Sequence, residues 1–184
     1  MKKIVFSTIL ASAFFTHSSF AHNITLNNGL APVAVTKDGE LVLSNGEVNY
    51  QSWRSANLVG KVRVIQHIAG RSSVKEKNEA LMDAIKAEKF DRTKYQTTTI
   101  INADDAIIGT GPFVKSSAEK GKKQNPHSQV ILDQQSSVKN AWALKEKESL
   151  IVVLDKNGKA QFVKEGKLTP QEIQSVIALV KSLL

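Results

Sequence analysis

The chain of 184 residues contains no cysteine, and this absence excludes several kinds of chemistry. Without thiols there can be no disulfide bond, no cysteine-based zinc site, no covalently attached haem and no cysteine nucleophile. Prolines number four, and aromatic residues make up 6% of the chain. Redox activity would require a bound cofactor or metal, and the sequence predicts neither.

Long hydrophobic runs are also missing, with one short exception at the N-terminus. Two lysines precede an apolar run from Ile4 to Phe15, which is shorter than the roughly 20 residues that a membrane-spanning helix needs. Ser19 and Ala21 then supply the small residues of a signal-peptidase site. The sequence predicts a signal peptide over residues 1–21, export to a bacterial periplasm, and no stable membrane insertion of the mature chain.

The chain is basic, with 25 Lys+Arg against 17 Asp+Glu and a formal net charge of +8. The basic residues are scattered, and the densest stretch, Lys115 to Lys123, has no interleaved aromatic residue on which a base could stack. We interpret that stretch as a solvated face. Because an exported protein does not meet chromosomal DNA, the sequence predicts no nucleic-acid partner.

Residues 22–184 have the pattern of a single α/β domain. Three turn dipeptides, Asn28-Gly29, Asp38-Gly39 and Asn45-Gly46, predict short strands and hairpins in the first part of this region. The run from Val62 to Ala69 predicts a buried strand.

A helix follows this strand. Ser73 with Glu76 predicts its capping box, and Val74, Leu81 and Ile85 form its apolar stripe. A second strand, from Tyr95 to Asn102, completes a βαβ unit whose two strands should be parallel.

The closing half of the chain contains two helices, a strand and a hairpin by the same signals. A short helix is expected over residues 111–121, a strand over 129–133, and a hairpin around Asp155-Lys156-Asn157-Gly158. Thr169-Pro170-Gln171-Glu172 then opens the last helix with a capping box and a proline in its first turn. This order of elements predicts an α/β sandwich with a mixed central sheet, flanking helices and an N-terminal β-hairpin extension.

Several of these segments resemble known proteins. Gly60-Lys61 followed by an apolar strand, and Gly166-Lys167-Leu168-Thr169-Pro170-Gln171-Glu172, are similar to the thioredoxin-like superfamily. Gln66-His67-Ile68-Ala69-Gly70-Arg71, Tyr95-Gln96-Thr97-Thr98-Thr99-Ile100 and Val152-Val153-Leu154-Asp155-Lys156 closely resemble the YtfJ family of exported proteins from Gram-negative bacteria. The resemblance implies a thioredoxin-like sandwich and a periplasmic location, but it implies no activity.

The resemblance also places the superfamily's redox residues. Its C-x-x-C motif would fall on Ser72-Ser73-Val74-Lys75, and its cis-proline would fall near Ser149, so the chain has neither feature. A thiolate is the nucleophile in that chemistry, and a serine hydroxyl without an adjacent base does not replace it. We therefore predict that the protein is not a thiol oxidoreductase, isomerase or peroxidase.

One candidate ligand site remains, at the carboxyl ends of the two parallel strands. A helix N-terminus beside a fixed cation favours an anion, and open α/β sheets bind ligands at this edge. Its residues are Gly70, Arg71, Ser72, Ser73, Asp104 and Asp105. In the alternative interpretation Ser73 only caps the helix, and Arg71 pairs with Asp104 or Asp105.

Other side chains are weaker candidates for a functional role. His67 is expected to be an interior strand residue, and His127 a loop residue. Asp133 with Asp104 and Asp105 could bind a cation, but without EF-hand spacing. His22, once exposed by cleavage, could chelate copper through its amine and imidazole. Trp53 and Trp142 are expected to pack at the margin of the core.

The sequence therefore favours a non-catalytic binding or interaction module whose partner is a periplasmic protein, a peptide or an envelope component. The alternatives are a small-anion or metal-ligand binder at Gly70 to Ser73 with Asp104, and a weak metal-dependent hydrolase that uses His67, His22 or the aspartates.

Overall fold

The strands lie in one sheet, and the computed structural model describes residues 22–184. The predicted signal peptide over residues 1–21 lies outside the described residues. The strands are β1 (Ala34–Ser44), β2 (Glu47–Arg54), β3 (Val62–Ala69), β4 (Tyr95–Asn102), β5 (Gln129–Asp133), β6 (Ser149–Leu154) and β7 (Ala160–Glu165). Their order across the sheet is β2-β1-β5-β4-β3-β6-β7.

The helices connect and cover these strands. They are α1 (Ser72–Lys75), α2 (Glu79–Glu88), α3 (Gly111–Gln124), α4 (Ser137–Ala141) and α5 (Pro170–Leu183). Short 3-10 helices occur at Ser55–Leu58, Glu76–Asn78 and Ala103–Asp105. None of the helices in residues 22–184 combines the length and apolarity that crossing a bilayer demands.

The centre of the sheet is the predicted βαβ unit. β3 and β4 pair in parallel along their whole length, and β5 continues the parallel arrangement on the other side of β4. β6 and β7 are antiparallel neighbours that complete one side of the sheet. The predicted mixed sheet with flanking helices is therefore confirmed.

The N-terminal hairpin extends the sheet beyond β5, but one predicted turn is wrong. Asp38 and Gly39 do not reverse the chain; they form a bulge inside β1, where the register with β2 shifts between Val35 and Glu40. Both bulge residues have positive φ, 61° and 77°. At the bulge Asp38 and Gly39 pair with β5, and Glu40 pairs with both β5 and β2. A turn dipeptide thus bends a strand here instead of ending it.

The two faces of the sheet bury separate apolar clusters, since alternate side chains of a strand point to opposite faces. On one face Val64 of β3 and Ile151 of β6 pack with Leu81 of α2 and with Val176 of α5. On the other face the cluster contains Val138 of α4 and both tryptophans, Trp53 and Trp142. The tryptophans are completely buried, so their expected position at the core margin is wrong.

The helical segment after β3 also differs from its prediction. It begins at Ser72, with Arg71 as the N-terminal cap residue and no side-chain capping bond, so the capping box at Ser73 and Glu76 does not form. The segment changes to a 3-10 helix over Glu76–Asn78 before α2 begins. Asn78 is buried here, and its side-chain amide donates to the Ser149 hydroxyl and to the carbonyl of Gly166, which compensates for the lost contact with water.

Of the remaining helices, α3 and α5 were predicted and α4 was not. α3 continues to Gln124, beyond the expected residue 121, and stops before Asn125-Pro126. At α5 the Thr169 hydroxyl accepts from the Glu172 N–H, and the Glu172 side chain accepts from the Thr169 N–H. The predicted capping box of α5 is confirmed.

Candidate functional site

The carboxyl ends of β3 and β4 meet at one edge of the sheet, which we call the upper edge. Gly70 follows β3 there, and its N–H donates to the carbonyl of Asn102 at 2.8 Å. Arg71 comes next, and its Nε donates to the backbone carbonyl of Asp105 at 2.7 Å. The fold therefore brings Gly70 and Arg71 together with Asp105, as the parallel strands predict.

The carboxylates at this edge have other partners than Arg71. Asp104 accepts from the Ser136 hydroxyl at 2.8 Å. Asp105 accepts from Lys139 Nζ at 3.4 Å and from the Lys147 N–H at 3.2 Å. The expected pairing of Arg71 with an aspartate side chain is therefore wrong. The two aspartates fasten α4 and the loop after it to the upper edge.

Ser72 and Lys75 occupy the positions at which the resemblance places the two cysteines. The side chains of Ser72, Ser73 and Lys75 are exposed, and α1 is a single turn. No side-chain base lies in hydrogen-bond contact with the Ser72 hydroxyl within residues 22–184. Lacking such a base, the hydroxyl is not activated as a nucleophile at neutral pH.

Ser149, at the predicted position of the cis-proline, has a structural role. Its hydroxyl donates to the carbonyl of Gly166 and accepts from Asn78, each at 3.1 Å. The described residues contain no cis peptide bond. The backbone at Ser149 is therefore held by hydrogen bonds rather than by a proline ring.

His67 lies inside β3 as expected, and 2% of its surface is exposed. Burial lowers the pKa of its imidazole to about 4, against the attraction of Asp133 and Asp105, while the Lys139 charge lowers the pKa further. Its Nε2 atom has no hydrogen-bond partner within residues 22–184. A buried, neutral imidazole of this kind is not a general base for a ligand at the surface.

The acidic residues do not form a metal site with this histidine. Both carboxylate oxygens of Asp133 accept backbone N–H groups, from Gln135 at 3.1 Å and from Val138 at 2.8 Å. In the part of the chain that the structure describes, no group of three or more His, Asp or Glu side chains is arranged to hold a metal ion. The alternative that Asp104, Asp105 and Asp133 bind a cation is thus unsupported. Copper chelation at His22, which the sequence only allows, depends on cleavage after Ala21 and is untested.

Beside Arg71 the upper edge carries an exposed apolar segment that the sequence prediction missed. We call residues 106–113 the apolar loop. Ile108 is fully exposed, Phe113 is 76% exposed and Ile107 is 56% exposed. The loop lies against Gly70, where a Cβ would stand 3.3 Å from Ala106 Cβ. The sequence did contain a signal for this exposed segment. An apolar pair precedes Gly109 and an aromatic residue follows Pro112, in a segment too short to form a core element.

Two curated relatives cover nearly the whole chain. An uncharacterized protein of Haemophilus influenzae is 55% identical over 183 residues, which are 100% of this chain and 99% of the relative. The uncharacterized protein YtfJ of Escherichia coli K12 is 51% identical over 164 residues, 89% of each chain. The names of both relatives state no activity.

Solved structures show the same fold at low sequence identity. A candidate protein disulfide isomerase from Bacteroides thetaiotaomicron superposes with a TM-score of 0.62 and 16% identity, over 89% of this chain and 92% of that one. Thioredoxin-like proteins recur among the other similar structures. Likeness at this identity shows the fold alone, and the predicted thioredoxin-like sandwich is confirmed.

The matching family model spans residues 24–183, which is almost all of the described chain. The sequence segments in and around β3, β4 and β6 that resemble this family are therefore parts of one continuous match. The chain belongs to the family described as bacterial protein of unknown function (YtfJ_HI0045).

Proposed function

We propose that the protein is a periplasmic, non-catalytic binding module that holds a protein partner on its apolar loop. One observation carries the proposal. The edge of the sheet where thioredoxin-like proteins keep a redox motif has Ser72 and Lys75 in its place, beside three large apolar side chains that face solvent.

The exposure of these side chains favours binding. Soluble monomers seldom expose neighbouring large apolar residues without a use for them, because covering such surface is favourable. Ile107 and Ile108 protrude from the segment before α3, and Phe113 protrudes from the first turn of α3. Two clefts in the described residues, one around Arg54 and one along residues 116–124, do not include them. A protruding group is covered by a concave partner rather than by a small molecule, so a protein surface fits best.

The apolar loop is also ordered before any partner arrives. The Thr110 hydroxyl and N–H both donate to the carbonyl of Ile107, at 2.6 and 2.9 Å. The Phe113 N–H in turn donates to the carbonyl of Thr110 at 3.0 Å. Preorganisation of this kind reduces the entropy that is lost on association.

A cross-linking experiment tests the binding surface. A photoreactive amino acid at position 108 in living cells should yield one specific protein adduct, identified by mass spectrometry. The additional change Phe113→Ser should abolish the adduct because it removes the aromatic anchor. Leu26→Ser, which alters an exposed apolar side chain elsewhere, should leave it unchanged.

Three results would contradict the proposal. The first is the absence of a specific adduct, and the second is an adduct that survives Phe113→Ser. The third is transfer of the label to phospholipid instead of protein, which would identify the apolar loop as a membrane contact.

The periplasmic location has a separate test. The protein recovered from the periplasmic fraction should have the intact mass of a chain that begins at His22, because cleavage is expected after Ala21. Recovery of the uncleaved chain from the cytoplasmic fraction would contradict export.

The anion site predicted at Gly70, Arg71, Ser72 and Ser73 remains the alternative function. Ser72 and Ser73 at the start of α1 are exposed, which leaves an anion access, but a single helical turn has a weak dipole and Asp105 adds negative charge nearby. If the site binds anions, sulfate should raise the melting temperature of the protein more than that of Arg71→Ala. Equal rises would remove this alternative.

A further inference from the structure

We propose that a cleft at the lower edge of the sheet, the end opposite Arg71, binds a medium-chain carboxylate with its head group on Arg54. The cleft has a volume of about 530 Å³, within the range of cavities that accept small organic ligands. Three segments form it: residues 29–34, the connection between β2 and β3, and the turn between β6 and β7.

The walls of the cleft are mainly apolar. Its floor is continuous with the core, because Leu58 and Leu154 are both buried in the cluster around the tryptophans. Val59 is 56% exposed at the cleft and packs against Gly158. The other apolar side chains of the wall are Leu30, Pro32, Val33 and Ala56. An alkyl chain in the cleft would therefore cover apolar surface that water now contacts.

Arg54 is the one ionisable side chain in the lining of this cleft. It forms no hydrogen bond or ion pair with any residue in the range 22–184. A guanidinium matches a carboxylate through two parallel hydrogen bonds. One positive charge balances one carboxylate, whereas a phosphate monoester would bring a charge of about −1.5 to −2 and stay partly unneutralised. The charge and the apolar walls together favour a monocarboxylate with an alkyl chain.

The cleft is held open by hydrogen bonds between its walls. The Val33 N–H donates to the Ser55 hydroxyl at 3.0 Å, and the Ser55 N–H donates to the Val33 carbonyl at 2.9 Å. Gly60 donates to the carbonyl of Lys156 at 2.8 Å, which ties the β2–β3 connection to the β6–β7 turn. Little of the backbone needs to become ordered when a ligand enters, so binding loses less entropy.

Calorimetric titration of the purified protein tests the proposal with three probes. Decanoate has both the charge and the chain, decanol lacks the charge, and acetate lacks the chain. We expect decanoate to bind about tenfold or more tightly than decanol, and acetate not to bind measurably, since a hydrogen bond to a charged group contributes at least that factor.

Two variants and a control locate the binding. Arg54→Ala should weaken decanoate binding about tenfold, to the level of decanol, and leave decanol binding unchanged. Ala56→Trp should fill the cleft and abolish binding of both compounds. Arg92→Ala, which removes an exposed arginine outside the cleft, should bind decanoate like the unaltered protein.

Several outcomes would overturn the proposal. Decanoate that gives no binding heat, equal affinities for decanoate and decanol, or an Arg54→Ala variant with unchanged affinity would each do so. Tighter binding of decyl phosphate, or binding of an apolar peptide C-terminus in place of decanoate, would show a different ligand. If Ala56→Trp fails to fold, the exposed substitution Arg54→Ala still decides. The cleft excludes the apolar loop, so these results are independent of the partner-binding proposal.

Discussion

Two ionisable side chains on β3, Arg63 and His67, are buried without a carboxylate in hydrogen-bond contact. The Arg63 guanidinium donates instead to neutral acceptors. These are the carbonyls of Asn57 and Leu58 and the side chains of Gln96, Thr98 and Gln129, all within 3.1 Å. Burial lowers the Arg63 pKa, and the charge of Glu40 opposes that change. A buried charge tolerates desolvation only with such a full set of hydrogen bonds, so Arg63 fixes the β2–β3 connection to the sheet.

His67 has no such set of partners, and we therefore expect it to make stability depend on pH. Its pKa in the folded protein is about 4, below the ordinary value of 6.5. As the pH falls, the unfolded chain gains the proton first, so stability is lost progressively between pH 6.5 and pH 4. The loss is as much as about 3 kcal/mol at the lower end of this range.

Urea unfolding at several pH values measures this effect. His67→Gln cannot ionise, so its free energy of unfolding should fall less between pH 6.5 and pH 4 than that of the unaltered protein. His127→Gln, at an exposed loop position, should keep the full dependence. Parallel curves for His67→Gln and the unaltered protein would show that the burial of His67 does not govern this dependence.

Among the elements, β1 depends most on a single backbone conformation. Gly39 has a φ of 77°, and a Cβ there would stand 2.3 Å from the carbonyl oxygen of Gln51 on β2. Glycine adopts this conformation without steric cost, and it also allows the close approach of the two strands. The bulge positions Asp38, whose carboxylate accepts from Gln134 at 2.7 Å, against β5.

Alanine at Gly39 should therefore destabilise the protein by two separable effects. Gly46→Ala isolates the first effect, because Gly46 has a similar φ of 82° but open space around it, and we expect a loss of about 1 kcal/mol. Gly39→Ala adds the clash with Gln51 and should lose about 3 kcal/mol or more. The measurement is the free energy of unfolding in denaturant. If both variants lost the same free energy, β1 and β2 would relieve the clash at Gly39 by moving apart without destabilising the protein.

The sequence predicted elements well where periodicity and capping act locally. β3, β4, the β6–β7 hairpin and the capping box of α5 all appear as expected. Its errors have long-range causes. Asp38-Gly39 has the composition of a turn, but pairing with β5 makes it a bulge inside a continuous strand. The capping box at Ser73 fails because the helix already begins at Ser72, and Arg71 is held by Asp105 from a distant segment.

For the candidate site, the sequence located the right edge but not the contacts there. Parallel strands bring Gly70 and Asp105 together by topology alone, so this proximity was predictable. The hydrogen-bond partners of the two aspartates could not be predicted, because Ser136 and Lys139 lie more than 30 positions away along the chain. The exposure of Ile108 was also hidden, because an apolar residue in a sequence is first expected to be buried.

At the scale of the molecule, the chain keeps the scaffold of the thioredoxin-like fold without its thiols. The βαβ unit, the antiparallel β6 and the covering helices are all present. Ser72 and Lys75 lie at the first and last positions of the single turn α1, both exposed to solvent. Ser72 and Lys75 therefore share one helical turn, at the positions where the resemblance places the two cysteines.

Two cysteines introduced at these positions would test whether α1 can hold a disulfide. Side chains three residues apart on a helix lie about 5 to 6 Å apart at Cβ, and a small adjustment brings two thiols to disulfide distance. The double variant Ser72→Cys, Lys75→Cys should therefore form a reducible intramolecular disulfide on mild oxidation, which thiol labelling before and after reduction will show. Either single variant should form no intramolecular disulfide, and the unaltered protein should label in neither state. Two thiols that stay reactive after oxidation would mean that α1 no longer has the geometry of a redox turn, and that the scaffold has diverged together with the residues.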